Sequence, residues 1–499
     1  MLSKKVIFSA IFTFCAFLAG NAQTKTFTVT ARNLDGKNNV VVSRSFDGIM
    51  LPLQQPLTFN RDSSVAFDFS GASLEHIFMF VEGDIPPNAP RSVSVYPVSP
   101  TGHLSINPRA DILFDLYGQD EIERAAVGAT EAPYDLFVKY VTRRGDPLSL
   151  RSDSVAVSAE RKIMNFTDSL VNVIDRVSEP LRTALRQEMA LNTLYFWNQI
   201  FFGRTSHLDS YENLSPEMAA WIEADKRLTH WTDLGNEANA LSLLFADVAS
   251  SDWSKRLSEN ELNEMREAGE EARLKKQFDY YARNYEGKAR ESLLANLIYK
   301  DTKNARFSMG LDSLYAEFSK LYPASAVSPF LETAVSKNVA VNSSSKEDPD
   351  VRFIETAENF TLDSIIGKFR GKPVIVDVWA TWCGPCRKSF EHADLVREFA
   401  KEKGLELLYI SIDEGGERET AVRKLVRSYG LKGNHLIMTP ALKQEIYSKF
   451  GSDGGLVIPN VALFDSEGHM VRRRFSEAED VQSLIKAIDS ALLSPADPE

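Results

Sequence analysis

The run Val374-Ile375-Val376-Asp377-Val378-Trp379, followed at once by Ala380-Thr381-Trp382-Cys383-Gly384-Pro385-Cys386-Arg387, constrains this chain more than any other stretch. Its apolar, β-branched residues predict a buried strand, and residues 387–402 predict a helix. Strand, cysteine pair and helix in that order place Cys383 at a helix N-terminus, where unpaired backbone N–H groups and the helix dipole stabilise a thiolate. Such a setting lowers a thiol pKa from ~8.5 toward ~7 or below, so a useful fraction is nucleophilic near neutrality. Cys386 lies one turn into the helix and is expected to be the more buried thiol. The predicted chemistry is attack by Cys383 on a disulfide, with Cys386 resolving the mixed disulfide.

Two further features bear on the dithiol. Asp377 is an acid inside an otherwise apolar strand. Burial raises a carboxyl pKa, which lets such a group exchange a proton with Cys386. An outward-facing aspartate is the alternative. Ile458-Pro459 precedes a predicted strand, where a proline is tolerated and a cis bond is accessible. Trp379 and Trp382 flank the pair as candidates for shielding it or docking a substrate.

The cysteine count sharpens this reading. The chain has three cysteines, and the third, Cys15, lies in the N-terminal segment. There Lys4 and Lys5 precede an apolar stretch from Val6 to Ala19 and small residues up to Ala22, the pattern of a secretory signal peptide over 1–22. Phe12-Thr13-Phe14 before Cys15 argues against lipid attachment. No later segment is long and apolar enough to span a bilayer. Export places the remaining pair where disulfides persist. A bond closing so short a loop constrains the unfolded chain little, so a structural staple is the weaker reading.

At 499 residues several domains are expected. Residues 23–118 alternate with period two in several short runs and read as a β-sandwich-like module. Residues 119–337 read as helical, with Ser215-Pro216-Glu217 as a start signal and dense mixed charge from Glu261 to Arg290. A polar linker is expected at 338–350, and strands alternating with helices over 351–494 predict an α/β domain.

Other classes fit less well. A net charge of −12 without a basic stripe argues against nucleic-acid partners. A zinc site needs two more ligands, and only the scattered His392 and His435 are on offer. A peroxiredoxin nucleophile wants proline and a hydroxyl residue where this chain has Val376 and Ala380. An envelope binding protein with an accessory redox domain is the alternative from a different class.

Residues 376–387, with Ile458-Pro459 and Leu463-Phe464-Asp465-Ser466-Glu467-Gly468 downstream, resemble the thioredoxin superfamily. Asn359-Phe360-Thr361-Leu362 and Gly371-Lys372-Pro373 narrow the resemblance to the exported TlpA/ResA-like thiol–disulfide oxidoreductases. It covers about the last 30% of the chain. The resemblance implies a C-terminal thioredoxin-like fold, Cys383 as nucleophile, Cys386 as resolving thiol and Asp377 as buried acid. It implies a cis Pro459 facing the disulfide, with Ile458 pairing with substrate backbone and Trp382, Gly384 and Pro385 completing the substrate surface. No cofactor is expected beyond the redox-active disulfide. Gly384-Pro385 is associated with reducing members, which predicts a periplasmic or envelope reductase. Its expected partners are disulfide-containing exported proteins, cytochrome c maturation being one option, and a membrane thiol electron donor. Members of this group often carry an acid and a proline where this chain has Ser389 and Glu391, which puts a helix kink in question.

Overall fold

A computed structural model describes residues 25–51, 57–69, 74–82, 92–96, 101–107, 114–117, 121–130, 165, 167–168, 170–205, 216–230, 232–304, 306–343, 348–355, 360–414, 418–451, 455–475 and 481–493. The expected signal peptide at 1–22 and residues 344–347 of the expected linker lie outside the described residues. The chain forms two compact units, one of residues up to Leu297 with Ala316–Leu331, the other of Ile298–Tyr315 with Glu332 onward.

In the first unit, strands β1 (Lys25–Arg44), β2 (Leu57–Phe69), β3 (Ile77–Glu82), β4 (Ser92–Val95), β5 (Thr101–Ile106) and β6 (Phe114–Tyr117) belong to one hydrogen-bonded sheet. Its order is β4-β3-β1-β5-β6, with β2 also on β1. The long β1 serves two neighbourhoods. β2 pairs along both halves of β1, while residues 26–31 also pair in parallel with β5 and 39–44 pair with β3. Register shifts at Asp35 separate the halves. Phe27, Val29 and Ala31 are buried between partly exposed Thr26, Thr28 and Thr30, as period-two alternation requires, whereas residues 40–43 are buried without a break. Among the described residues of this unit all six strands lie in that one sheet, so the second sheet expected of a β-sandwich is not confirmed. Asp47 and Gly48 turn the chain between Phe46 and Ile49 with φ of 49° and 75°. Two positive φ values in a two-residue turn favour an Asp-Gly pair.

Helices α1 (Leu181–Thr205), α2 (Pro216–His230), α3 (Phe245–Lys255) and α4 (Glu259–Asn284) follow, with a 3-10 turn at Glu237–Leu241. Met50 N donates to Ala240 O at 2.8 Å, and His76 Nδ1 bonds Leu241 O at 2.9 Å. The first unit holds these strands together with α1 to α4. Helices α5 (Gly287–Lys303), α6 (Leu311–Leu321) and α7 (Ser328–Ser343) are each divided between the two units. Residues 338–343, expected in a linker, are the last turns of α7.

The second unit contains β7 (Val351–Phe353), α8 (Leu362–Ile366), β8 (Val374–Trp379), α9 (Gly384–Phe390), α10 (Ala393–Lys403), β9 (Glu406–Ser411), α11 (Arg418–Tyr429), β10 (Gly433–Ile437), α12 (Pro440–Phe450), β11 (Asn460–Phe464), β12 (Met470–Arg472) and α13 (Val481–Leu493). The sheet order is β12-β11-β8-β9-β10-β7. β8 runs parallel to β9 and antiparallel to β11, so it is central, which is why its sequence is a nearly unbroken apolar run. Parallel neighbours need crossovers, and α9–α10 and α11 supply them.

One expected element differs. The helix read over 387–402 is two helices, broken at Glu391 and His392 without a proline. Glu391 N bonds Lys388 O and His392 N bonds Ser389 O, three-residue bonds that tighten the turn and end the ladder. Phe390 fixes the corner, packing edge-on to Trp379, Tyr409 and Tyr429 with ring centroids 5.1, 6.1 and 5.9 Å away.

Candidate active site

The β8 strand delivers its C-terminal end directly to the dithiol. Trp379 and Ala380 are fully buried, and the chain then turns, with Cys383 N donating to Ala380 O at 3.0 Å. Cys383 is the N-cap of α9, in extended backbone conformation, and its Sγ accepts the Cys386 backbone N–H at 3.2 Å. Pro385 occupies the first turn of the helix, where its missing N–H costs nothing. The two cysteines form a disulfide, with Cα atoms 5.3 Å apart. Cys383 is 4% exposed and Cys386 is 0%, in the expected order though by a small margin. The adjacent Trp382 is 67% exposed and stands out from the motif into solvent.

Asp377 lies on the opposite side of β8 from Val376 and Val378, on the face covered by α9 and α10. Its register partners are Tyr409 on β9 and Val461 on β11. The carboxyl opens into a pocket lined by Ser389, Phe390, Ala393, Val396 and Leu484 among others. The residue as a whole keeps some exposure through that pocket, but Oδ1 is enclosed and has no hydrogen-bond partner. Burial pushes the Asp377 carboxyl up from 3.8 to about 7, with no cation opposing it. The same burial, together with the Asp377 charge, raises the Tyr409 phenol. Ser389 thus shares a pocket with the acid, and Glu391 ends α9.

The Ile458-Pro459 bond is cis, and Pro459 leads directly into β11, whose first residue, Asn460, pairs with Val378. Ile458 is half-buried and its neighbour Val457 is 50% exposed. Gly384 and Pro385 are exposed on the first turn of α9. His435 is remote from any metal-ligand set: Nε2 bonds Leu431 O at 2.9 Å, the ring stacks on Tyr409, and burial lowers its pKa to about 4. No group of three or more metal-ligating side chains occurs among the described residues.

Two residues went unread in the sequence. Asp413 accepts from Thr381 N at 3.2 and 2.9 Å, from Thr381 Oγ1 at 2.5 Å and from Ser411 Oγ at 2.7 Å, pinning the turn that leads into Cys383. Its signal was position alone: Ser411-Ile412-Asp413 ends a strand parallel to β8, and the carboxyl ends of parallel strands are where α/β sheets carry their sites. Arg387, at the end of the motif, donates from Nη1 to Lys303 O at 2.8 Å, a contact the sequence does not signal.

Comparison with known proteins finds similarity over the same C-terminal residues. Residues 344–491 match the Redoxin family. The thiol-disulfide oxidoreductase ResA of Bacillus thuringiensis (strain Al Hakam) is 29% identical over 140 residues, covering 26% of this chain and 76% of the relative. ResA of Bacillus subtilis (strain 168) is 28% identical over 122 residues, 23% and 63% respectively. Among solved structures, a thioredoxin family thiol:disulfide interchange protein from Chlorobium tepidum TLS shares 23% identity with a TM-score of 0.22, covering 25% of this chain and 83% of its own. Residues 344–491 thus carry a Redoxin-type domain similar to the ResA thiol–disulfide oxidoreductases, which supports a thioredoxin-superfamily, TlpA/ResA-like protein with oxidoreductase activity.

Proposed function

We propose that the chain is an exported reductase of protein disulfides, working in the periplasm or cell envelope. The observation that carries it is the cap: Cys383 Sγ receives the Cys386 N–H at the start of α9, beside an exposed Trp382. That arrangement favours a thiolate on Cys383 once the disulfide is reduced.

The reaction then runs in two exchanges. The Cys383 thiolate attacks one sulfur of a substrate disulfide, forming a mixed disulfide and releasing a substrate thiolate. The Cys386 thiol gives its proton to the Asp377 carboxylate and attacks Cys383 Sγ. The Cys383–Cys386 disulfide forms and the second substrate thiolate leaves, so two electrons have passed to the substrate. A carboxyl with a pKa of about 7 is matched to that proton transfer near neutrality. Ile458, Pro459, Trp382, Gly384 and Pro385 form the substrate surface. A membrane thiol donor returns the pair to the dithiol, and the Gly384-Pro385 spacer supports the reducing direction.

An insulin reduction assay with a thiol reductant as donor tests this. Turnover is expected in the native chain and its loss in Cys383→Ser. A midpoint near that of a strong oxidant, roughly −120 mV, overturns the reducing direction. No turnover despite a reducible Cys383–Cys386 bond favours a binding protein with an accessory redox domain.

A further inference from the structure

We propose that the segment Ile298–Tyr315 is a positioning brace for the redox helix, with Arg387 as the residue through which it acts. This rests on the dithiol function argued above. Helix α9 has seven residues, too short to hold its own direction without tertiary contacts. Its direction matters because it aims the Cys386 N–H at Cys383 Sγ. Arg387, one residue after Cys386, is tied to the carbonyl of Lys303 at 2.8 Å. The Lys303 ammonium is attracted by Glu391, the C-cap of α9, and repelled by Arg387, so the tie runs through the Lys303 carbonyl.

Residues 301, 307 and 308 of this segment are themselves tied to the rest of the unit. Phe307 is fully buried in the same core cluster as Trp379, Cys386 and Phe390, although it precedes β8 by more than sixty residues. Its φ is 49°, a left-handed value that a bulky residue keeps only when its surroundings over-determine it. They do. Its carbonyl accepts from Lys424 Nζ at 2.9 Å and from Asn342 Nδ2 at 3.0 Å. Asp301 accepts from Ser308 N at 3.0 Å and Ser308 Oγ at 2.5 Å, closing the turn around Phe307. Asn338 Nδ2 donates to Ser308 O at 3.1 Å and Arg427 Nη1 to Val341 O at 3.0 Å, extending the grip to α7 and α11. These bonds tether the segment to which Arg387 is tied.

The test is the equilibrium of the full chain with glutathione, in which the protein disulfide and two glutathione thiols exchange for the dithiol and glutathione disulfide. The pH profile of Cys383 alkylation is read alongside. Arg387→Gln and Asp301→Ala are each expected to shift the equilibrium at least 3-fold toward the protein disulfide and to raise the alkylation midpoint. The double variant is expected to match a single one, because both break one linkage. Arg387→Lys, which keeps a donor, is expected nearer the native value. Thermal melts check folding, and Asn342→Ala replaces Asp301→Ala if the latter melts early. A native-like equilibrium in the brace variant, or a double variant equal to the product of the singles, overturns the proposal and leaves Arg387 acting by its own charge. A native chain that does not exchange with glutathione defeats the oxidoreductase reading instead.

Discussion

Thr381 and Asp413 are joined by both the backbone and the side chain of the threonine, its N–H reaching the two carboxylate oxygens at 3.2 and 2.9 Å and its hydroxyl reaching Oδ1 at 2.5 Å. Asp413 is 5% exposed, so these bonds and that from Ser411 stand in for water. Thr381→Val keeps shape and the N–H contacts but loses the hydroxyl, and should cost about 1–2 kcal/mol in urea denaturation. Thr381→Ser should stay within about 0.5 kcal/mol of the native chain. Asp413→Ala strands the Thr381 and Ser411 donors and should cost more than either, about 2–4 kcal/mol, with slower disulfide exchange as the turn before Cys383 loosens. Equal losses in T381S and T381V would show that the hydroxyl bond is not what holds the turn.

The Asp377 carboxyl carries a pH signature. Its pKa is about 7 in the folded chain, against 3.8 when free of its surroundings. Between these values the folded state holds a proton that the unfolded state has released. The associated stability is therefore full below about pH 4 and is lost as pH rises through 7. Asp377→Asn removes that loss and should stabilise the chain at pH 8 by on the order of 2–4 kcal/mol, with little effect at pH 4. Resolution by Cys386 should meanwhile slow, since the proton acceptor is gone, by about 10–100-fold in single-turnover release of reduced substrate. A stability gain at pH 8 without slower resolution would make Asp377 a buried residue with no part in proton transfer.

The order of the two exchanges predicts what each cysteine variant accumulates. Cys386→Ala retains the nucleophile and loses the resolver, so it should hold substrate proteins in mixed disulfides that separate on reduction in a diagonal gel. Cys383→Ala should hold none, because Cys386 is fully buried at the second sulfur position. Equal trapping by both variants would overturn the assignment of roles.

Much of this site was legible because the central strand and the cysteine pair are contiguous in sequence. A strand flanked on both sides must be apolar throughout, so the single acid at Asp377 stood out. What escaped notice joins residues distant in sequence. Asp413 is thirty residues past Cys383, and Lys303 is eighty-four before Arg387. Neither contact leaves a periodicity to read, since each depends on where a loop or helix end falls in three dimensions. The break in the redox helix was missed for a related reason. Residues 387–402 contain no proline, and the corner at Glu391 and His392 is set by Phe390 packing among Trp379, Tyr409 and Tyr429, a tertiary override of local propensity. In the first unit, the alternation in 26–30 identified strands correctly but carried no information on whether they close into one sheet or two.

Trp379 and Trp382 occupy the same motif and should behave oppositely on substitution. Trp379 is fully buried with its ring edge-on to Phe390 at 5.1 Å, and its Nε1 has no hydrogen-bond partner. Trp379→Ala empties part of the core beneath α9 and should cost about 3–5 kcal/mol. Trp382 is 67% exposed, so Trp382→Ala should leave stability within about 0.5 kcal/mol. What Trp382 offers instead is a large apolar face next to the nucleophile, of the kind that anchors a partner chain. Its loss should raise KM for a protein disulfide several-fold while leaving exchange with a small aromatic disulfide nearly unchanged, because the small substrate reaches Cys383 without needing the surface. Parallel losses on both substrates would mean that Trp382 shapes the reactivity of Cys383 itself and does not serve as a docking face.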